Sequence, residues 1–115
     1  MRAGLILAAL GVAAAVATVA LPHSPKAEEL SFTITIRDHK FDPLYLRVPA
    51  GQPFTLHIIN GDKAPEEFEC TSPWIEELMI SLGNATVKVP ALDAGEYPCF
   101  GEFHSDTAKG KIIAQ

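Results

Sequence analysis

With 115 residues the chain has room for one domain, and an apolar content of 48% is enough to build a core. Acidic residues outnumber basic ones by 14 to 9, for a net charge of −5 at pH 7. That balance excludes nucleic acid and anionic lipid as natural partners and favours a cation or a basic protein surface.

Residues 1–21 form an apolar run with one charge, Arg2. A basic start, an apolar middle and a small-residue stop match an export signal, with Ala15-Val16-Ala17 or Thr18-Val19-Ala20 suited to signal peptidase. The run is also long enough for an uncleaved membrane anchor, which is the alternative. Residues 22–29, with Pro22 and Pro25, read as a polar linker, so the folded domain is expected over residues 30–115. Loss of Arg2 with the leader leaves 8 basic against 14 acidic residues and a net charge of −6. Export implies a periplasmic location and an oxidising compartment, where Cys70 and Cys99 are expected to pair.

Beyond residue 30 the pattern has period two. Phe32, Ile34 and Ile36 alternate with threonines, Leu44, Leu46 and Val48 with Tyr45 and Arg47, and Phe54, Leu56 and Ile58 with Thr55, His57 and Ile59. Later runs cover 85–89, 96–100 and 111–114. Between them stand Asp38 to Pro43, Pro49 to Pro53, Asn60-Gly61-Asp62 and Asp93-Ala94-Gly95, all turn chemistry. Seven to eight short strands at this spacing predict an all-β sandwich. Residues 71–83 break the pattern and are compatible with a helical turn or an irregular crossover. Trp74, Leu78 and Met79 within it are expected to pack in the core.

Two stretches carry the chemistry. Gly95 to Gly110 resembles the last-strand signature of cupredoxins, G-x-Y-x-F-x-C-x-x-H followed by Met and Gly, and Asn60 to Phe68 resembles the turn that leads to their first histidine ligand. On that pattern His104 takes the place of the second histidine and Glu66 that of the first. Gly101 replaces the copper-binding cysteine, Cys99 lies two residues too early, and no Met follows before Gly110. A blue-copper centre needs two histidines and a thiolate, so none is expected. The runs D-H-K-F-x-P, P-x-G-x-P-F, P-E-E-F-E and F-G-E-F-H-x-D-T-A-x-G, over 38–43, 49–54, 65–69 and 100–110, are similar to the cupredoxin-like domains of bacterial iron-uptake systems, the EfeO-type domains.

That resemblance implies a cupredoxin-like Greek-key β-sandwich with a metal site at one end. It also implies a role as an accessory carrier of iron or copper beside a membrane permease or other iron-uptake components. Read by residue type, Glu66, Glu69, Glu102, His104 and Asp106 offer oxygen and imidazole ligands, and His39, in a loop that overhangs the metal end in cupredoxins, can add another. Such a set suits harder ions than Cu(I), and both iron and copper(II) remain open. If Phe68 points inward, Glu66 and Cys70 share its face while Glu67 and Glu69 point out. The resemblance also makes the strands bearing Cys70 and Cys99 neighbours, so a disulfide is expected, with soft metal ligation or a redox dithiol as the rival. Glu67 and Glu69 also read as solvated charges, Asp106 as a turn cap, and His39 as a loop-holding hydrogen-bonder.

No nucleophile–base pair is recognisable, so a binding module is expected rather than a hydrolase. The alternative is an oxidoreductase, passing electrons through copper or oxidising ferrous ion.

Overall fold

The computed structural model describes residues 3, 4, 6, 8–20 and 29–115. Part of the expected leader and all of the expected linker except Glu29 lie outside these residues. Among the described residues no helix is long and apolar enough to cross a membrane.

Among the described residues nine strands follow in order: β1 (Leu30–Arg37), β2 (Lys40–Asp42), β3 (Tyr45–Val48), β4 (Phe54–Asn60), β5 (Glu66–Thr71), β6 (Trp74–Met79), β7 (Asn84–Val89), β8 (Gly95–Gly101) and β9 (Lys109–Ala114). A 3₁₀ turn, Glu102–His104, joins the last two. One sheet has the order β2-β1-β4-β7 and the other β3-β9-β8-β5-β6. The β1–β4 and β3–β9 pairs are parallel and the others antiparallel. The alternating residues face each other between the sheets: Ile36, Leu56, Ile58, Phe68 and Ile112 are fully buried.

Two strands exceed the sequence expectation. β2 is only three residues long, too short for a periodic signal, and forms because a two-residue turn folds it back on β1, with Arg37 opposite Lys40. β6 replaces the helical turn or crossover expected within residues 71–83. Ile75 and Met79 point inward while Trp74, Glu76 and Leu78 point out, a period of two that the apolar run Leu78-Met79-Ile80 conceals. Met79 packs in the core as expected, but Trp74 is 70% exposed and Leu78 65%. They occupy the outward positions of a strand covered on one face only.

Cys70 and Cys99 stand directly opposite each other on β5 and β8 and form a disulfide, with Cα atoms 4.3 Å apart. That spacing belongs to the non-hydrogen-bonded pairs of an antiparallel ladder, where side chains approach most closely.

Candidate metal centre

The β1–β2 hairpin turns through Asp38 and His39, whose φ angles are 52° and 56°. Two consecutive positive φ values define the tight hairpin turn that matches strand twist, and Asp and His tolerate this conformation better than most residues. A carboxylate from another loop fixes it. Asp62 accepts the Asp38 N–H at 2.8 Å on Oδ1 and the His39 N–H at 3.0 Å on Oδ2. Burial alone would raise the Asp62 pKa, but these two N–H groups and the nearby imidazoles of His39 and His104 outweigh it and hold the carboxyl below its ordinary value.

Asp62 is aimed by Asn60, which is 1% exposed at the end of β4. The Asn60 Oδ1 accepts the Asp62 N–H at 3.0 Å, and its Nδ2 donates to the carbonyls of Ala64 at 2.9 Å and Ile80 at 3.1 Å. One amide therefore ties three chain segments together at this end of the sandwich. Asn60 and Asp62 read from the sequence only as turn residues. Their place just ahead of Pro65-Glu66 is the available signal.

Glu66 begins β5 and points inward with Phe68 and Cys70, as the alternation predicts, while Glu67 and Glu69 take the outer face. Its side chain is buried, with 2% exposure. Oε1 accepts the N–H of Phe103 at 2.9 Å and of Glu67 at 3.1 Å, and Oε2 lies 2.6 Å from His104 Nδ1. The 3₁₀ turn after β8 brings His104 to this place, half-buried. His39 stacks on His104, with centroids 3.7 Å apart and rings 12° from parallel, and its Nδ1 lies 3.5 Å from Asp62 Oδ2.

Gly101 makes room for the carboxylate. A Cβ there would lie 2.6 Å from Glu66 Cδ, 2.8 Å from its Oε1 and 2.8 Å from the Ala108 Cβ. No real side chain fits. Potential ligand atoms of His39, Glu66 and His104 all fall within 4.8 Å of one another.

A family model for the cupredoxin-like domain matches residues 6–114. The chain is a cupredoxin-like domain. An uncharacterized protein of Rickettsia prowazekii (strain Madrid E) is 39% identical over 84 residues, covering 73% of this chain and 67% of the relative. Auracyanin A, a "blue" copper protein of Chloroflexus aurantiacus, superposes with a TM-score of 0.67 at 18% identity, over 76% of this chain and all of that one. Amicyanin from Paracoccus versutus gives 0.58 at 20% identity, over 78% of this chain and 84% of that one. At these identities the likeness to solved structures is one of fold.

Within this cupredoxin-like domain, two imidazoles and one carboxylate form a donor set that fits a divalent transition metal. Bonds of about 2.0–2.1 Å from a single ion place adjacent ligand atoms roughly 3 Å or slightly more apart. The Glu66–His104 contact of 2.6 Å is therefore a hydrogen bond. A metal ion held by these residues would take the place of this hydrogen bond, with His39, Glu66 and His104 as its ligands. Neither cysteine is a thiolate, since both are in the disulfide.

The other sequence candidates lie elsewhere. Glu102 and Asp106 are exposed and do not join the His39–Glu66–His104 group. Glu69 instead meets Glu67 and Glu76 on the outer face, their oxygens within 4.8 Å. A hydrogen bond shared with Glu69 leads the causes that hold Glu67 above the ordinary carboxylate range, and one shared with Glu67 does the same for Glu76.

Proposed function

We propose that this cupredoxin-like domain is an exported metal carrier that takes one divalent ion on His39, Glu66 and His104 and has no blue-copper centre. The supporting observation is the buried Glu66 carboxylate held against His104 Nδ1 beneath the stacked His39 ring, in a space that Gly101 leaves open. Copper(II) is the favoured ion, because for a nitrogen–oxygen set it stands above iron(II) in intrinsic affinity. Iron, as copper's competitor, and a membrane permease as the receiving partner rest on the likeness of the 65–69 and 100–110 runs to iron-uptake domains. A periplasmic location rests on the apolar leader.

Metal analysis and calorimetric titration with Cu(II), Fe(II) and Fe(III) test the reading. The expected result is one ion per chain, with Cu(II) tightest and Glu66→Ala at least about tenfold weaker. Equal affinity of wild type and Glu66→Ala would remove the carboxylate from the site. A ferroxidase assay on the loaded protein separates carriage from oxidation, and no turnover is expected.

A further inference from the structure

β6 ends its sheet: β5 pairs along one side, and among the described residues no strand pairs along the other. A row of backbone N–H and C=O groups on β6 therefore lacks strand partners, and such an edge accepts an added strand unless its side chains prevent it. Its outward side chains are Trp74, Glu76 and Leu78, and Ile80 and Leu82 continue the apolar surface at 75% and 62% exposure. Glu76 stands in the middle of this apolar row and directly opposite Glu69 of β5, with Glu67 beside them.

The charges decide what can pair here. Two copies of the chain joined antiparallel about a two-fold axis overlap β6 most fully when centred on Glu76 or Glu77. Either register sets a glutamate against its own copy, and like charges directly opposite are destabilising. The net charge of −5 adds repulsion between copies. A strand carrying Lys or Arg at the position opposite Glu76 meets three carboxylates instead, and apolar residues two positions to either side meet Trp74 and Leu78.

We infer that the free edge of β6 is a docking site for an extended segment of another protein with the pattern apolar-x-(Lys/Arg)-x-apolar, added as a sixth strand to the β3-β9-β8-β5-β6 sheet. The basic side chain lies over Glu76, Glu69 and Glu67, and the two apolar side chains flank it over Trp74 and Leu78. This surface is on the outer face of the sheet, opposite the face from which Glu66 points, so it operates with or without a metal ion.

The chain contains one tryptophan, Trp74, so its fluorescence reports on this edge alone. The full chain is titrated with the peptide Thr-Leu-Thr-Lys-Thr-Val-Thr and with its counterpart bearing Glu in place of Lys. The lysine peptide is expected to shift Trp74 emission to the blue saturably and to slow hydrogen exchange at the β6 amides that point away from β5. The glutamate peptide should bind about tenfold more weakly. Glu76→Lys, a change at an exposed position, should reverse that preference. Absence of a saturable change, equal affinity for both peptides, or sedimentation showing copies associated through the Trp74 edge overturns the inference.

Discussion

Replacing Gly101 by alanine adds one methyl group where the structure has no space for it. The new carbon falls 2.6 Å from Glu66 Cδ and 2.8 Å from Ala108 Cβ, whereas carbon atoms rest about 3.5–4.0 Å apart. Something must move by roughly 1 Å. Ala108 is fully buried and its N–H and C=O are bonded to His104 and Gly101, so the Glu66 carboxylate has to give. Overpacking of this kind costs about 1–3 kcal/mol. Displacing Oε1 from two backbone N–H groups adds a comparable amount, about 1.5–3 kcal/mol. Thermal unfolding of Gly101→Ala should then fall by more than about 8 °C, since each kcal/mol shifts the midpoint of so small a domain by about 4–8 °C. Glu66→Ala and Gly101→Ala should be non-additive, the double variant losing at least about 1 kcal/mol less than the sum. A Gly101→Ala protein with wild-type melting and wild-type copper affinity would refute the claim that position 101 is kept empty for the carboxylate.

Three further outcomes follow from the same geometry. Asp62 has a depressed pKa, so its contribution to stability is present above the ordinary carboxylate value and fades as pH falls below about 4; chemical denaturation of Asp62→Asn should show a shallower loss between pH 5 and pH 2 than wild type, in roughly that range. Asn60→Ala strands the Ala64 and Ile80 carbonyls and the Asp62 N–H, and urea titration should find it about 2–4 kcal/mol less stable. Removing the Cys70–Cys99 bridge, which spans 29 residues of sequence, should cost about 3–4 kcal/mol in the same assay.

Much of this architecture was legible because a sandwich buries one face of each strand and period two records which. Phe32 to Ile36 and Phe54 to Ile58 read directly as strands, and the inward phase of Phe68 placed Glu66 and Cys70 correctly. β6 was obscure because an edge strand with a solvated face can carry Trp74, Leu78 and Ile80 outward, so hydrophobicity stops reporting burial. The same limit applies at Glu102: alternation ends where β8 passes into the 3₁₀ turn, and beyond Gly101 it no longer assigns faces. Asn60 and Asp62 were hidden for another reason. Besides local bonds, their roles include hydrogen bonds to Ile80, Asp38 and His39, partners 20 to 24 residues away that only the closed fold brings near.

Electron paramagnetic resonance of the chain loaded with one equivalent of Cu(II) addresses the metal centre most directly. Two imidazole nitrogens should appear in the hyperfine pattern, with one lost in His104→Ala and one in His39→Ala, and no intense thiolate-to-copper absorption should accompany them. A spectrum unchanged by both substitutions, or one characteristic of copper free in buffer, would contradict the assignment of His39, Glu66 and His104 as the metal-binding group.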